Sequence, residues 1–502
     1  MSGVRSRAAG LLEEDPLGGQ TVRDQAFIDG RFVAAADGRT FSDISPRDGR
    51  IVAEVARGSG EDVDRAVRAA RRAFEEGAWA LADPAQRRAV LLRLAELMSA
   101  HAEELARLES VDVGHPISDA RAVDVVNATR CFTFYAEAID KLYGEIAPTG
   151  AEDLALVGRE PIGVVGAVVP WNYPLIVTAW KLAPALAMGN SVVLKPAEQS
   201  PLSALRLAEL ASEAGLPDGV LNVVPGFGEE AGEPLGRHPD VDKIAFTGSV
   251  PVGRLFLRYA GESNGKAVSL ELGGKSPQIV LADAPDLQAA AEAIGWGIFY
   301  NAGQTCHAGS RLIVVEEVRE EILERLTAFA AGMAPGDPFD PATQLGSLVS
   351  DEHLHNVLAH IERARADGAR VLFGGEPAAP VAGGAYLGPT LVQADDPALP
   401  IVQEEVFGPV LAIQTARDAD HALALANATR YGLAAAVWTS DLTTAGRLAR
   451  RLRAGTVWVN SFDRSSMATP FGGMKESGHG RDRSLHALDA YAQLKTTWIH
   501  LG

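Results

Sequence analysis

The sequence is poor in cysteine and has no long hydrophobic segment. Only 2 of its 502 residues are cysteines, Cys131 and Cys306, which excludes a fold built on disulfides and leaves no spacing typical of a metal site. No apolar stretch approaches the roughly 20 residues that a membrane helix needs. Residues 1–20 also lack the apolar core of a signal peptide. We therefore expect a cytoplasmic protein, in which a thiol stays reduced, with no bound metal.

Positive charge is scarce as well. Lys and Arg number 46 against 65 Asp and Glu, a formal net charge of −19. Such an acidic surface disfavours nucleic acid and anionic membranes as partners. The remaining composition is that of an ordinary globular protein, with 47% hydrophobic and 22% charged residues. The chain is too long for one hydrophobic core, so we expect two or three domains.

Hydrophobic periodicity predicts helices first and alternating strands and helices afterwards. Ser59 with Asp62 forms a capping-box pattern that opens one helix. A second helix follows Pro84, with one apolar stripe that continues to Leu108. From about residue 163, short apolar segments alternate with helical stretches, which indicates βαβ units and two α/β domains. The predicted strands are 164–169, 191–194, 220–224, 243–246, 278–281, 311–315, 410–414, 434–438 and 456–459.

Three segments are candidates for a nucleotide site, although the usual G-x-G-x-x-G fingerprint is absent. Residues 226–232 come near it but have one residue too many, so a plain glycine-rich loop explains them better than a nucleotide contact. At 246–249 a strand ends before Pro251, which marks a helix start whose free N–H groups suit a phosphate. A simple strand–helix turn is the alternative there. Segment 195–198 places a carboxylate after a strand, where it can bind ribose hydroxyls.

Two side chains stand out as reactive groups. Cys306 lies among Gly, Gln, Thr, His and Ser in a predicted loop between a helix and a strand, where nucleophiles are commonly held. Cys131, on an apolar helix, is typical of a small buried hydrophobe. Glu271 lies between two leucines at a strand end before a glycine pair, which favours a tuned general base.

Asn172 and His307 are the next residues to weigh as partners of these reactive groups. Asn172 also follows a strand, where its amide can donate to an oxyanion. His307 is next to Cys306, but adjacent side chains rarely point the same way, so we assign it no role as a base.

Seven motifs in a fixed order resemble those of the aldehyde dehydrogenase superfamily, from about Ala26 to Ile499. They are Pro170-Trp171-Asn172-Tyr173-Pro174, Lys195-Pro-Ala-Glu198, Phe246-Thr-Gly248-Ser249, Glu271-Leu-Gly-Gly-Lys275, Gly303-Gln-Thr-Cys306, Glu404-Glu405-Val-Phe407-Gly-Pro409 and Pro470-Phe471-Gly-Gly473.

The resemblance implies the aldehyde dehydrogenase fold, of class α/β. A flexible tail (1–20) would precede a Rossmann-like NAD-binding domain (21–141 and 163–273) and an α/β catalytic domain (274–487). A β oligomerisation element (142–162 and 488–502) would pair subunits into homodimers or homotetramers.

The resemblance also implies a mechanism and a cofactor. Cys306 would attack the aldehyde, Asn172 and the Cys306 N–H would hold the oxyanion, and Glu271 would activate water to hydrolyse the thioester. Lys181 and Asp482 fall at proton-relay positions, although Asp482 stands where Glu is more usual. The cofactor would be NAD, with NADP as the alternative, and the charge of Glu198 disfavours a 2′-phosphate. The implied cofactor contacts are Val169, Pro170, Trp171, Lys195, Glu198, Gly228, Phe246, Gly248, Ser249, Gly253, Leu272, Gly273, Glu405 and Phe407.

Within the superfamily, residues 135–141, 215–224, 480–488 and 494–498 resemble γ-glutamyl-γ-aminobutyraldehyde (aminoaldehyde) dehydrogenases. The implied substrate is an aliphatic or ω-aminoaldehyde. The mouth loop 460–467 departs from these relatives, which tend to carry more acids there to receive a cationic substrate, and its Arg464 and Ser466 weaken that argument. The expected substrate tunnel is aromatic and consists of Tyr173, Trp180, Tyr300, Phe462 and Phe471.

Other functions stay open at this point. A general or betaine-type aldehyde dehydrogenase is the first alternative. A CoA-acylating enzyme is disfavoured by Glu271, and a thiol esterase by the nucleotide motifs.

Overall fold

The computed structural model describes residues 17–19 and 21–502. The predicted flexible tail therefore lies outside the described residues, except for Leu17–Gly19, which forms a turn with a buried Leu17 side chain. Within the described ranges, no helix is both long and apolar enough to cross a membrane.

Helices cover both faces of the two large sheets. The described residues form sixteen α-helices: α1 Gly60–Glu76, α2 Pro84–Ala100, α3 Ala102–Val113, α4 Ile117–Asp119, α5 Val125–Ala138, α6 Pro174–Ala187, α7 Leu202–Glu213, α8 Glu233–Arg237, α9 Val250–Gly261, α10 Leu287–Phe299, α11 Arg319–Ala331, α12 Asp351–Ala366, α13 Pro400–Gln403, α14 Ala419–Asn427, α15 Leu442–Arg451 and α16 His486–Asp489.

The strands of the described residues number twenty-two. They are β1 Ala26–Ile28, β2 Arg31–Val33, β3 Thr40–Ile44, β4 Ile51–Ala56, β5 Glu145–Ala147, β6 Asp153–Pro161, β7 Val164–Val168, β8 Ser191–Lys195, β9 Leu221–Val223, β10 Lys243–Gly248, β11 Ala267–Leu272, β12 Pro277–Val280, β13 Arg311–Val315, β14 Arg370–Phe373, β15 Pro377–Ala378, β16 Tyr386–Leu387, β17 Thr390–Gln393, β18 Val410–Ala416, β19 Ala434–Trp438, β20 Thr456–Val459, β21 Gly478–His479 and β22 Ala492–His500.

Local sequence explains where the first helices begin and end. The predicted capping box opens α1: the Ser59 N–H donates to Asp62 at 3.0 Å, and Gly77 ends the helix with a φ of 79°. The prediction of one continuous helix after Pro84 is wrong. The helix ends at His101, and the chain forms two helices, α2 and α3. The His101 ring bonds to Glu104 at 2.8 Å, and this interaction stabilises the new helix start.

Two large sheets form the frame of the molecule, as the βαβ pattern predicts. The first has the order β2-β1-β9-β8-β7-β10-β11-β21, with β8, β7, β10 and β11 parallel. The second has the order β14-β17-β18-β13-β12-β19-β20, and all its pairs except β14–β17 are parallel. A smaller sheet, β22-β6-β5, pairs the C-terminal strand antiparallel with β6 over nine residues.

The relative placement of the two large sheets positions the candidate site. Asn172, Ser249 and Gly273 follow the carboxyl ends of β7, β10 and β11 in the first sheet. The loops that carry Cys306 and Phe407 precede β13 and β18, so they lie at the amino edge of the second sheet. Because ligands of parallel α/β sheets bind beyond strand carboxyl ends, the space between these two edges is where a site is expected.

Candidate active site

Cys306 lies in a β-turn that follows a left-handed segment. After α10, Asn301, Ala302 and Gly303 take φ values of 49°, 53° and 73°, a conformation that non-glycine residues rarely adopt. The Ala308 N–H then donates to the Thr305 carbonyl at 2.9 Å. Cys306 and His307 are thus the two central residues of the turn, and their side chains can both face outward.

Two glycine contacts hold this loop against its neighbours. A Cβ on Gly303 would lie 2.1 Å from the Gly408 carbonyl oxygen, and one on Gly274 would lie 2.6 Å from the Cys306 carbonyl oxygen. Both distances are far below any ordinary contact, so only glycine allows the approach. The loop of Cys306 is therefore fixed from two directions by backbone atoms.

Asn172 is tied to the same loop. Its Nδ2 donates to the Gln304 carbonyl at 2.8 Å, and Asn301 Nδ2 donates to the Asn172 carbonyl at 2.9 Å. An amide NH₂ group has two hydrogens. The second hydrogen of Asn172 is left for an oxyanion formed beside Cys306, because both residues line one cavity.

Glu271 is a buried acid without a hydrogen bond. Its side chain lies on β11, is 4% exposed, and neither of its carboxyl oxygens has a partner among the described residues. Burial raises the pKa of Glu271 well above its usual value, and the nearby Asp482 carboxylate adds to this effect. A carboxyl group in this state suits a base that works on a water molecule.

The predicted relay residues are in contact with each other. Lys181 Nζ donates to Asp482 Oδ2 at 2.6 Å, and both side chains are buried. Asp482 therefore reaches the Lys181 ammonium group, although its side chain is shorter than that of Glu, the more usual residue at this position.

The nucleotide candidates lie along the carboxyl edge of the first sheet. Ser249 is the N-cap of α9 but makes no side-chain capping bond, so the first-turn N–H groups remain for a phosphate. Lys195 ends β8 and lies 3.5 Å from Glu198. Burial lowers the pKa of Lys195. Gly228 begins a π-helical turn, Gly228–Gly232, that packs beside the Lys195 side chain.

Glu405 and Phe407 form the opposite side of the candidate nucleotide site. Glu405 accepts the Gly274 N–H at 2.9 Å, and burial raises its pKa to about 7. Phe407 has a φ of 57°, and its carbonyl oxygen accepts a hydrogen bond of 2.8 Å from the His353 ring. Its ring lies edge-on to Trp171 with centroids 5.3 Å apart. These residues present a carboxylate and an aromatic face to the cavity.

One cavity of about 820 Å³ brings the predicted groups together. Cys306, Glu271 and Asn172 line it, as do four of the predicted tunnel residues: Tyr173, Trp180, Tyr300 and Phe471. The predicted cofactor residues on its wall are Pro170, Trp171, Gly248, Ser249, Leu272, Gly273, Glu405 and Phe407. Six others lie outside the wall: Val169, Lys195, Glu198, Gly228, Phe246 and Gly253. Phe462 is set back from the wall, with its ring 4.8 Å from that of Trp458.

Sequence reasoning missed several residues of the wall. His307 is the main one: its Nδ1 lies 3.8 Å from Cys306 Sγ, and its Nε2 lies 2.8 Å from Asp463. The expectation that adjacent side chains diverge fails here because the two residues share a turn. Arg483, Trp458 and a stripe on α5 (Asn127, Arg130, Phe134 and Glu137) also line the cavity. The helical spacing of that stripe was the signal that could have found it.

Comparisons with known proteins agree with this geometry. The model described as "Aldehyde dehydrogenase family" matches residues 32–497. The chain is 52% identical over 480 residues to the NADP/NAD-dependent aldehyde dehydrogenase PuuC of Escherichia coli (strain K12), and the match covers 96% of each chain.

Two solved structures are similar over nearly the whole chain. The γ-glutamyl-γ-aminobutyraldehyde dehydrogenase of Burkholderia cenocepacia J2315 has a TM-score of 0.95 at 52% identity and covers 97% of this chain and 98% of its own. An indole-3-acetaldehyde dehydrogenase complexed with NAD+ has a TM-score of 0.95 at 51% identity, with coverage of 97% and 98%. The resemblance, the fold and the nicotinamide cofactor that the sequence predicts are confirmed.

Replacing Gly303 by Ala should disrupt the loop of Cys306. The added Cβ would overlap the Gly408 carbonyl, so the loop must shift, and we expect iodoacetamide to alkylate Cys306 at a clearly altered rate. Gly38→Ala is the matched control, since Gly38 has a φ of 70° but no atom within 4 Å of its Cβ position. The control should cost only about 1–2 kcal/mol of backbone strain. Equal alkylation rates in both variants and the wild type would contradict the steric argument.

Proposed function

Because the chain belongs to the aldehyde dehydrogenase family, we propose that it oxidises aliphatic or ω-aminoaldehydes to carboxylic acids through a thioester on Cys306. NAD(P)-dependent aldehyde oxidation is the activity of the chain. The observation that carries the finer proposal is the placement of one thiol, one free amide hydrogen and one unpartnered carboxyl group around a single cavity.

The residues present fit a dinucleotide. The uncapped start of α9 suits the pyrophosphate, and the Glu405 carboxylate suits the hydroxyls of the nicotinamide ribose. Phe407 and Trp171 offer an aromatic wall for the nicotinamide ring. When bound, NAD supplies the acceptor for the hydride that leaves the substrate carbon.

NAD is proposed as the preferred form of the cofactor. Glu198 is in contact with Lys195 at the adenosine end, and its negative charge would repel a 2′-phosphate. Equal kcat/KM values for NAD and NADP would contradict this preference.

The protein's own groups would act in the following sequence. The Cys306 thiolate adds to the aldehyde carbon, and a C–S bond forms while the carbonyl oxygen becomes an oxyanion. The Asn172 amide and the Cys306 N–H hold that oxyanion. After loss of the hydride the acyl group remains on Cys306 as a thioester. Glu271 then takes a proton from water, the hydroxide attacks the thioester carbon, and the C–S bond breaks to release the acid.

A hydrolytic exit is favoured over transfer to CoA. Glu271 is present, buried and free of hydrogen bonds, so it is available to activate water beside Cys306. Formation of an acyl-CoA product in place of free acid would contradict this choice.

The substrate proposal rests on the wall of the cavity. Aromatic rings surround the path to Cys306, which suits the carbon chain of an aldehyde. Glu137 on α5 supplies negative charge for a distant ammonium group. Arg130 and Arg483 line the same cavity, so an acylated amine with a carboxylate would also find partners there.

Assembly and location complete the proposal. The β5–β6–β22 sheet exposes Ile146, Leu494 and Trp498, a face that suits pairing with another subunit into a homodimer or homotetramer. Sedimentation as a monomer at micromolar concentration would contradict this.

A cytoplasmic location is proposed because both cysteines are free thiols. Finding the mature protein outside the cytoplasm would contradict this location.

Glu271→Gln should separate the two halves of the reaction. We expect a burst of one NADH per reactive thiol, followed by a steady-state rate about 10²–10⁴-fold below the wild type. Because burial raises the pKa of Glu271, only a rising pH generates its carboxylate form, so the wild-type steady-state rate should climb with pH and the variant rate should not. Stopped-flow NADH fluorescence measures both phases. The exposed Glu213→Gln is the control, and full turnover by the Glu271 variant would contradict the assignment.

A substrate panel tests the aminoaldehyde proposal. We expect kcat/KM for ω-aminoaldehydes to exceed that for alkanals of equal length. Glu137→Gln should lower only the first value, by about two- to fivefold, as for the loss of one solvent-exposed ion pair. Asp140→Asn is the matched control, because this exposed acid follows α5 but lies off the cavity wall. A preference for alkanals would rule out the substrate class and leave aldehyde oxidation untouched.

A further inference from the structure

The Cys306 thiol has a neighbouring base that the proposed mechanism does not use. His307 Nδ1 lies 3.8 Å from Cys306 Sγ, within the reach of an S–H···N hydrogen bond. On the other side of the ring, Nε2 lies 2.8 Å from a carboxylate oxygen of Asp463. The three side chains therefore form a line of thiol, imidazole and carboxylate along the wall of one cavity.

The carboxylate decides which nitrogen of the neutral ring carries the proton. A carboxylate can only accept, so Nε2 is the N–H donor to Asp463, and Nδ1 is left as the acceptor that faces the thiol. A thiol, an imidazole and an orienting carboxylate in this order are the arrangement by which cysteine nucleophiles are activated.

Packing keeps the ring in this position. The His307 ring lies 5.5 Å from the ring of Phe471, 6.2 Å from Trp458 and 6.4 Å from Phe462. Only 16% of its side chain is exposed. The ring is thus confined on three sides by aromatic groups and on the other two by Cys306 and Asp463.

We propose that Cys306 and His307 rest as a thiolate–imidazolium pair, in which His307 holds the Cys306 thiol proton before the aldehyde is attacked, and that Asp463 is the positioning residue that orients the ring. This inference rests on the proposed function, in which Cys306 is the nucleophile. The S–H bond breaks, an N–H bond forms at His307 Nδ1, and the thiolate remains beside an imidazolium. The proton returns to solvent later in the cycle, so the step consumes no further reactant.

The charges around the His307 ring favour the state in which the imidazole holds the proton. Burial works against a charged imidazole, but the Asp463 carboxylate, its hydrogen bond and the contact with Cys306 outweigh it and raise the pKa of His307 to about 10. Other titratable groups face these residues as well: Arg483 acts on Asp463, whereas Glu271 and Tyr173 interact with Cys306.

This assignment gives the two bases separate tasks. Glu271 has no hydrogen bond to the thiol or to any other described group, so it stays available for the water of the hydrolysis step. His307 serves the earlier step, the formation of the thiolate. Loss of His307 should therefore affect formation of the thiolate, whereas loss of Glu271 should affect hydrolysis of the thioester.

The test is the pH profile of Cys306 alkylation by iodoacetamide, followed by peptide mass spectrometry in the full-length protein without cofactor or aldehyde. An unperturbed thiol is only about one hundredth ionised two pH units below its usual pKa. We expect wild-type alkylation to persist at pH 6.5, and His307→Gln to slow it about 10- to 100-fold there. Recovery of the variant rate at pH 9 shows an intact fold. Cys131 is fully buried and should stay unmodified throughout.

Two further variants complete the design. Asp463→Asn should give an intermediate profile, because the ring loses its orienting partner but keeps Nδ1. The exposed Glu213→Gln, away from the cavity, is the control that should keep the wild-type profile. The proposal is overturned if His307→Gln and wild type coincide, or if Glu271→Gln alone removes alkylation at pH 6.5. In either case continued NADH formation at Cys306 leaves the proposed function standing, whereas NADH formation by Cys306→Ala would refute that function itself.

Discussion

The site depends on one exchange of hydrogen bonds between the two large sheets. Asn172, beyond the carboxyl end of β7, donates to the Gln304 carbonyl, and Asn301 donates back to the Asn172 carbonyl. These bonds are buried, so a mismatch would leave polar groups unsatisfied at a cost of about 1–3 kcal/mol each. The exchange therefore fixes the Asn172 amide, which would hold an oxyanion, relative to the loop that carries the Cys306 thiol.

Burial of charge is the second constraint on the site. Glu271 has no hydrogen-bond partner, whereas Lys181 and Asp482 compensate each other nearby. Burial lowers the pKa of Lys243 to about 8, and the neighbouring Lys181 ammonium adds to this effect. A folded chain keeps such groups only where the surrounding structure provides the stability, so the unpartnered Glu271 carboxyl group on the same cavity wall as Cys306 is a candidate functional group. The same burial raises the pKa of Glu271, so this carboxyl group gains its charged form only as the pH rises.

Much of the frame follows from local sequence, and the differences come from pairing across the chain. The strands 311–315, 434–438 and 456–459 keep their predicted bounds because each is a short apolar run. Strand β10 extends two residues further than predicted, to Gly248, because Thr247 and Gly248 pair with Glu271 and Leu272 of β11. Glu271 and Asn172 can be predicted as candidate site residues, because a polar side chain at the end of a buried strand is unusual. The left-handed segment 301–303 was not predicted, since Ala302 has no intrinsic preference for that conformation, although Asn301 and Gly303 do.

His307 shows where reasoning from neighbours in sequence fails. Alternation of side chains holds for a strand, but Cys306 and His307 are the centre of a β-turn closed between Thr305 and Ala308. The partner that gives His307 its orientation, Asp463, is 156 residues away, so no local pattern could announce it. A residue next to a nucleophile is therefore informative only once the turn type is known. In this chain the turn places the imidazole between a thiol and a carboxylate on the wall of the cavity.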